Sequence, residues 1–200
     1  FKGSWLCSIF DYFGINYSGY SLFPSTNPSH FNLLNLNDNN IEGDILNFTD
    51  GKGGFYKAEI TIADSRKCRL QVVSSEQKEK QHNYHLHIAI APTKNMDRFE
   101  WFLEKATEIG VDVITPIICN NSERREVKPD RLKKVAVVAM KQSLKAYLPV
   151  IEPSIGFKEF ITRTPISANE QRFIANHDPS HSFLFGKCQP GCNTTVLIGP

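Results

Sequence analysis

The sequence predicts a mixed α/β chain in which a small antiparallel β domain precedes an α/β domain built on a parallel sheet. Two observations predict this division. Residues 29–75 contain three stretches that alternate polar and apolar side chains, as strands with one buried face do. Residues 84–200 instead alternate short apolar stretches with amphipathic helices, the pattern of parallel strands joined by crossover helices. Residues 76–83 are polar and are interpreted as a linker, whereas residues 1–28 have no periodicity and stay unassigned.

The antiparallel domain is predicted from one hairpin. Residues 44–49 and 55–63 alternate polar and apolar side chains, and the pair Asp50-Gly51 opens the segment between them. An Asp-Gly pair between two alternating stretches is a strong indication of a hairpin turn. A third strand, expected at residues 68–73, completes a small antiparallel sheet.

The α/β domain is predicted from its helices. Apolar side chains over residues 97–109 recur on one helical face, which predicts a helix. Asp97 and Glu100 have the spacing of a capping box, and Gly110 stands where many helices end. A second helix is expected from residue 130 to about residue 147. Apolar strands are expected at residues 84–91, 111–119 and 195–198, with a short buried strand at 183–185.

Composition narrows the function classes. Hydrophobic residues make up 40% and charged residues 22% of the chain, which is typical of globular proteins and excludes a disordered or fibrous one. The sequence has no uncharged apolar stretch of about 18 residues, so we expect neither a membrane-spanning helix nor a membrane partner. The five cysteines are odd in number and irregularly spaced, which favours a reducing, cytoplasmic location over a disulfide framework.

Positive charge is concentrated in residues 119–145. This segment has eight lysines and arginines against three acidic residues, a net charge of +5 in a chain whose total is +2. Arg124 and Arg125 follow an apolar strand, and α/β proteins place ligands at the carboxyl ends of parallel strands. Arginine there suits a phosphate or a developing anion. The pattern therefore favours an anion or nucleotide site, with a solvated helix face as the alternative.

Two histidines and two cysteines near the carboxyl end raise a different possibility. His177, His181, Cys188 and Cys192 supply the ligand types of a tetrahedral zinc site. Their spacing is not that of a common zinc module, and an apolar stretch separates the histidines from the cysteines. We therefore expect no metal, and zinc stays a distant alternative.

Four segments together resemble the RsmE family, the 16S ribosomal RNA (uracil-N3) methyltransferases. Residues 98–111 resemble that family's helix R-x-E-x3-(Q/E)-K-(A/G)-T-E-(L/I)-G-V. Residues 114–118 with 122–124 resemble its I-x-P-(L/I) strand and S-E-R loop. Residues 139–143 resemble its A-x-(E/K)-Q-(S/C) helix, and residues 197–200 resemble the start of its L-I-G-P-E-G-G motif. The G-D-x-(I/V) and D-G-x-G pieces of the hairpin are similar as well, so that the resemblance extends over about residues 29–200.

The resemblance implies a fold and an activity. It implies a PUA-like amino-terminal β domain that helps to hold RNA and a knotted methyltransferase domain of the SPOUT class. It further implies a homodimer that uses S-adenosylmethionine to methylate N3 of one uridine in 16S rRNA of the small ribosomal subunit.

The same resemblance assigns roles to residues of this chain. Catalytic roles fall to Arg124, which would stabilise charge on the uracil or contact an RNA phosphate, and to Glu123, which would orient Arg124. The cofactor would be bound by Leu197, Ile198, Gly199 and Pro200. RNA contacts would come from Arg98, Lys105, Arg125 and Gln142.

Two departures from the family's pattern qualify the expected activity. The family's arginine-containing segments before the G-D strand have no counterpart in residues 30–36, which contain no arginine. The family's L-I-G-P motif continues as Glu-Gly-Gly, whereas the sequence stops at Pro200. We therefore expect a C-terminally truncated, inactive chain with an incomplete knot. The alternative function is a non-catalytic RNA-binding module.

Overall fold

The computed structural model describes residues 32–33, 42–64, 67–80, 82–163, 169–176, 178 and 183–200. The described residues form two compact units. The first comprises those up to Lys80 together with Met140–Tyr147, and the second comprises those from residue 82 to Ala139 and from Leu148 to Pro200. The unassigned segment 1–28 lies outside the described residues.

The first unit contains a four-stranded antiparallel sheet. Its strands are β1 (Asn32–Leu33), β2 (Ile45–Thr49), β3 (Gly54–Asp64) and β4 (Lys67–Gln77), hydrogen-bonded in the order β1-β2-β3-β4. The expected antiparallel sheet is therefore confirmed. β4 continues to Gln77, so that the first residues of the expected linker belong to a strand. The strand could not be recognised from the sequence here, because this end of β4 is exposed and its residues are polar.

One face of this sheet is buried because apolar side chains alternate along its strands. Leu46, Phe48, Ala58 and Ile60 are almost fully buried, and the Phe48 ring stacks on Tyr56 with centroids 5.2 Å apart. The residues between them, such as Lys57, are exposed. The sheet therefore has an apolar inner face and a polar outer face.

The turn between β2 and β3 is built by an aspartate and its glycines. Asp50 Oδ1 accepts hydrogen bonds from the backbone N–H groups of Lys52 (2.7 Å) and Gly54 (2.9 Å). Gly53 has a φ of 103°, which only glycine adopts at low cost. Its N–H donates to the carbonyl of Ala146 at 2.9 Å, which attaches a second stretch of chain to the turn.

The second unit alternates strands and helices, as the sequence predicts. In chain order its elements are β5 (Leu86–Ile90), α1 (Met96–Ile109), β6 (Val113–Ile118), α2 (Pro129–Gln142, whose last three residues belong to the first unit), β7 (Val150–Ile151), β8 (Ile155–Gly156), α3 (Phe157–Arg163), β9 (Glu170–Ile174), a 3-10 turn (Leu184–Gly186) and β10 (Asn193–Ile198). The strands form a parallel sheet in the order β7-β6-β5-β10-β9, and β8 also pairs with β6. The predicted parallel sheet is confirmed.

An apolar core covers one face of this sheet. Phe99 and Leu103 of α1 pack with Leu132 and Ala136 of α2 against Ile114 of β6, and all are almost fully buried. α1 begins one residue earlier than predicted, because Asn95 rather than Asp97 caps it. The Asn95 Oδ1 accepts the N–H of Asp97 at 2.9 Å. The helix ends at Gly110 in the left-handed conformation, as predicted.

The opposite face carries a row of polar groups, of which His87, Thr115 and Thr195 are buried. The Thr115 hydroxyl donates its one proton to Glu152 Oε2 (2.7 Å), so it accepts from His87 Nε2 (2.7 Å). On the neighbouring strands, Glu170 Oε1 accepts from the Thr195 hydroxyl (2.7 Å) and from Arg172 Nε (3.0 Å). Phe160 of α3 contacts the His87 ring edge-on.

Two predicted elements are wrong in detail. α2 ends at Gln142 rather than near residue 147, because Leu144 takes a left-handed conformation (φ 52°). The N–H of Lys145 then bonds to the carbonyl of Met140 (3.0 Å), which closes the helix in a Schellman motif without glycine. The apolar run at 183–185 is not a buried strand, since Phe183 and Phe185 are 90% and 98% exposed around a 3-10 turn.

Candidate active site

Three loops meet at one edge of the parallel sheet. β5, β6 and β10 are neighbours or near neighbours and run in one direction, so the loops that follow them leave the same edge. These loops are residues 91–95, residues 119–128 and the end of the chain at 199–200. The Ala91 N–H donates to the Ile198 carbonyl at 2.9 Å, which joins the first loop to the third. Ligands of α/β proteins bind at such an edge.

Ser122 fixes the loop after β6. It is buried, its hydroxyl accepts the Cys119 N–H at 2.9 Å, and its own N–H donates to the Cys119 carbonyl at 3.1 Å. This pair of bonds closes a tight turn directly after the strand. The two residues that follow, Glu123 and Arg124, are therefore held close to the end of β6.

Two donor nitrogens of the Arg124 guanidinium differ in their hydrogen bonding. Its Nη2 donates to the backbone carbonyl of Lys94 at 2.9 Å, which connects the loop after β6 to the loop after β5. Its Nε is buried and has no hydrogen-bond partner in the part of the chain that the structure describes. A buried donor without a partner costs about 1–3 kcal/mol, and a charged one costs more. The guanidinium is therefore prepared to bind an acceptor at this edge.

Glu123 has a different partner from the expected one. Its carboxylate forms an ion pair with the Lys94 ammonium at 2.9 Å, and the two side chains are 61% and 83% exposed. At that exposure the pair contributes little to stability. Lys94 thus contacts both residues, through its ammonium and through its carbonyl, and that carbonyl orients Arg124.

The four residues expected to bind the cofactor divide into two pairs. Leu197 is buried, and its carbonyl accepts the Ala175 N–H at 2.8 Å. The Ile198 carbonyl is likewise used within the sheet. Gly199 and Pro200 are exposed, and no atom lies within 4 Å of the position that a Cβ on Gly199 would take. The backbone at Gly199 is therefore open to the approach of a ligand.

The residues expected to bind RNA do not form one cluster. Arg98 is exposed in the first turn of α1, directly after the 91–95 loop, and Arg125 is exposed with Nη2 3.4 Å from the Asn120 carbonyl. Lys105 lies seven residues further along α1, about 10 Å along the helix axis. Its ammonium binds Glu108 (2.9 Å) and Glu104, which raise its pKa. Gln142 is the exposed last residue of α2.

Metal binding finds no support among the described residues. No three His, Cys, Asp or Glu side chains in the described ranges are placed to hold an ion. His177 and His181 lie outside these ranges, so the zinc alternative stays a prediction. The thiols of Cys188 and Cys192 are not in a disulfide. None of the helices in the described ranges combines the length and the hydrophobicity that crossing a membrane requires.

The fold and this edge define a class of protein. A parallel α/β sheet with an arginine loop and a glycine at its carboxyl edge is an arrangement suited to nucleotide-like ligands. Comparison with known families is specific: the RNA methyltransferase domain matches residues 80–200. The chain belongs to this family of RNA methyltransferases.

Individual relatives agree with the RsmE resemblance. The chain is 26% identical over 160 residues to ribosomal RNA small subunit methyltransferase E of Rickettsia conorii, covering 78% of this chain and 63% of that protein. It is 21% identical over 180 residues to the Bacillus subtilis protein of the same name, covering 84% and 68%. The expectation of an RsmE-type chain is confirmed. The chain spans less than two thirds of the length of the Rickettsia relative.

Two solved structures are similar to this chain in fold. The crystal structure of a probable rRNA-methyltransferase from Porphyromonas gingivalis has a TM-score of 0.73 and 41% identity, covering 80% of this chain and 68% of that one. Ribosomal RNA small subunit methyltransferase E of Neisseria gonorrhoeae, solved bound to S-adenosyl methionine, has a TM-score of 0.65 at 20% identity, covering 79% and 65%. At that identity, the second likeness shows the fold alone.

Sequence reasoning missed two residues of this site. Lys94 contacts both Glu123 and Arg124, yet nothing in the Thr-Lys-Asn stretch before α1 marks it. Ser122 belongs to the S-E-R motif but received no role, because its function is to shape the turn. A serine between an apolar strand and charged residues indicates a turn in which its hydroxyl bonds to the backbone, and this was the available signal.

Proposed function

We propose that the chain is part of an enzyme that methylates N3 of a uridine in 16S ribosomal RNA with S-adenosylmethionine as the methyl donor. The observation that carries the proposal is the buried, unpartnered Nε of Arg124 at the carboxyl edge of a sheet whose family is that of RNA methyltransferases. The names of the Rickettsia and Bacillus relatives support a small-subunit rRNA substrate.

The residues at the edge fit the cofactor in two respects. Gly199 leaves open space beside the backbone, and the strand before it is fixed by its carbonyl bonds to Ala91 and Ala175. In the Neisseria relative of the same fold, S-adenosyl methionine is bound. We therefore assign cofactor binding to the end of β10, residues 197–200. When bound there, S-adenosylmethionine supplies a methyl group on a positively charged sulfur.

Arg124 performs the charge stabilisation that the reaction needs. The N3 nitrogen of uracil carries a proton, which has to pass to solvent before the nitrogen can form a bond to the methyl group. Its loss places negative charge on the nitrogen and the two flanking carbonyl oxygens. The Arg124 Nε–H lacks an acceptor, and a uracil oxygen would satisfy it. A prepositioned donor of this kind lowers the barrier because its bond strengthens as the charge develops. Glu123 is a positioning residue that acts through its ion pair with Lys94.

The remaining expectations belong to the same proposal. Arg98 and Arg125, exposed beside the edge loops, would contact RNA phosphates, with Lys105 and Gln142 as weaker candidates. We further propose a PUA-like role for the antiparallel unit, a SPOUT-type knot in the whole protein, a homodimer, and a cytoplasmic location, where ribosomal subunits are the substrate.

The first experiment is calorimetric. S-adenosylmethionine binding is measured on the chain and on a version extended by the Glu-Gly-Gly segment that the resemblance implies. Binding by the extended chain supports the proposal. Absence of binding by both, together with retained binding of 16S rRNA, would favour the non-catalytic RNA-binding module.

A matched pair of variants tests the role of Arg124. In the extended version of the chain, transfer of a labelled methyl group to small ribosomal subunits is followed, and the product nucleoside is identified by mass spectrometry. We expect Arg124→Gln to lower the rate about 100- to 1000-fold while cofactor binding is retained. Lys128→Gln removes the same charge from an exposed residue four positions later and should change the rate less than threefold. Equal effects of both variants would contradict the role of Arg124.

A further inference from the structure

The outer face of the antiparallel sheet contains a cavity of about 580 Å³, within the range of small-ligand pockets. It belongs entirely to the first unit, and no residue of the candidate active site lines it. It is lined by aromatic, basic and hydroxyl side chains, with one amide, one carboxylate and one leucine: Asn47, Phe55, Tyr56, Lys57, Ser74, Ser75, Glu76, Lys78 and Leu144.

The pairing of β3 with β4 brings the key side chains together. Phe55 and Lys57 are two residues apart on β3, so they project from the same face. Across the ladder, Phe55 is opposite Glu76, and Lys57 is opposite Ser74. The Lys78 ammonium lies over the Phe55 ring, 4.9 Å from its centroid. An aromatic ring on an open sheet face is thus covered by a cation instead of by apolar side chains.

The charges at the cavity favour an anion that also has a flat aromatic part. Two lysines against one glutamate give the lining a net charge of +1. Neither lysine forms an ion pair with any residue in the described ranges. A nucleotide has a base that can stack on Phe55 in place of the Lys78 ammonium, and a phosphate that can then form an ion pair with that ammonium. The hydroxyl of Ser74, which is opposite Lys57 on the same face, can bond to a ribose or a base edge.

We propose that this cavity binds an unpaired nucleotide of RNA, with its base stacked on Phe55 and its phosphates between Lys57 and Lys78. The inference rests on the proposed function, in which RNA is the substrate and the antiparallel unit helps to hold it, and it adds the residues and the kind of contact. The base takes the position that the Lys78 ammonium holds in the structure, and the ammonium moves to the phosphate. Glu76 faces the base, where a carboxylate accepts from exocyclic amino groups. The site gives the enzyme a hold on single-stranded RNA that is separate from the methyl-transfer edge.

Direct binding of RNA to variants of the cavity tests the proposal. A labelled single-stranded RNA of about ten nucleotides is titrated with the chain and followed by fluorescence anisotropy. We expect Phe55→Leu to weaken binding about tenfold and Phe55→Trp to retain it, because stacking needs a ring and not this particular ring. Lys57→Gln should weaken binding and lower the slope of log K against log salt by about 0.7.

The control removes a charge from the same unit outside the cavity. Lys52 is exposed in the β2–β3 turn and does not line the cavity, so Lys52→Gln should change the affinity less than twofold. Thermal unfolding of each variant shows that the sheet is intact. If Phe55→Leu and Lys57→Gln bind as tightly as the wild type, or lose no more than Lys52→Gln, the cavity site is overturned.

The outcomes also separate this inference from the proposed function. Retained cofactor binding with unchanged RNA affinity of the cavity variants would remove the cavity site and leave the methyltransferase proposal in place. The reverse result has two parts: the cavity variants lose RNA affinity, and the extended chain binds no cofactor. That result would support the cavity site and contradict the methyltransferase proposal. A wild-type chain that binds no single-stranded RNA would overturn the cavity site outright.

Discussion

The two sheets of the molecule offer ligands different places to bind. One face of the antiparallel sheet is buried and carries Leu46, Phe48, Ala58 and Ile60. The other face is polar, so that a whole face is available to a ligand. The parallel sheet has α1 and α2 against one face, and α3 together with a row of polar groups against the other, so its open part is the edge where strands end. Antiparallel sheets tolerate one wet face, whereas parallel sheets rarely do.

This difference explains where the two proposed sites are. The cavity at Phe55 uses side chains that point out of a sheet face, spaced by the strand period. The edge at Arg124 uses loops, in which a serine turn and a lysine carbonyl set the position of one guanidinium. A face suits a repetitive, extended ligand such as single-stranded RNA, and a loop edge suits one reacting atom.

The largest expected effect tests whether the two units are independent. Leu103 of α1 and Leu46 of β2 are almost fully buried, and truncating either to alanine should lower the free energy of unfolding by about 2–5 kcal/mol. Urea denaturation measures the loss, and hydrogen exchange locates it. We expect Leu103→Ala to raise exchange in β5, β6 and α1, and Leu46→Ala to raise it in β2 to β4.

The control is Ile109, which is 73% exposed on the same helix as Leu103. Ile109→Ala should lower the free energy of unfolding by less than about 0.5 kcal/mol. Exchange that rises across both units in each variant would contradict the comparison.

A glycine pair tests the antiparallel unit alone, and the larger of its two effects is similar in size to that of the leucine variants. Both Gly53 and Gly43 have positive φ, so alanine at either position costs about 1–2 kcal/mol in backbone strain. At Gly53 a Cβ would in addition meet Gln77 Nε2, the Tyr147 hydroxyl (2.6 Å) and the Lys78 carbonyl (2.8 Å). At Gly43 it would meet nothing. We expect Gly53→Ala to lower the free energy of unfolding by about 2–5 kcal/mol and Gly43→Ala by only the strain. Equal losses in chemical denaturation would show that the chain around Tyr147 does not pack on the turn.

The smallest effect concerns the polar face of the parallel sheet. Burial lowers the pKa of His87 below its ordinary 6.5, and this outweighs the opposing influence of Glu152. The unfolded chain therefore takes up a proton before the folded chain does as the pH falls. Stability from this group is complete above about pH 6.5 and is lost as the pH falls from there towards the folded-state pKa.

The variant His87→Gln isolates this pH dependence. Gln can still donate to the Thr115 hydroxyl, as His87 Nε2 does, but it does not titrate. We expect the melting temperature of the wild type to fall more steeply than that of the variant between pH 7 and about pH 5. Parallel profiles would mean that His87 is not held neutral by its burial.

The sequence predicted most elements whose apolar side chains recur with a clear period. The hairpin and α1 follow from such periods, and Gly110 marks a helix end that needs a left-handed residue. The polar end of β4 could not be found, because its strand is defined by backbone pairing with β3 and not by buried side chains. The end of α2 was missed because Leu144 occupies the position that glycine normally takes.

The site was predictable in its members more than in its contacts. Arg124 and Glu123 follow from the motif and lie at the sheet edge. Their common partner Lys94 lies thirty residues away from Arg124 and contributes a carbonyl, which every residue has. The run at Phe183 shows the opposite error, since an apolar stretch indicates burial only when another surface covers it.

The hydrogen bond from Gly53 to Ala146 has a consequence for how this protein can be divided. The antiparallel unit is discontinuous: a fragment that stops at residue 80 leaves the Gly53 N–H without the carbonyl it uses and Lys78 without the Tyr147 hydroxyl that bonds to it. Gene fusions or deletions that treat the first eighty residues as a portable module would therefore remove part of that module. Exchange of this unit between related genes has to include residues 140–147 as well, so that the two segments have to be inherited together.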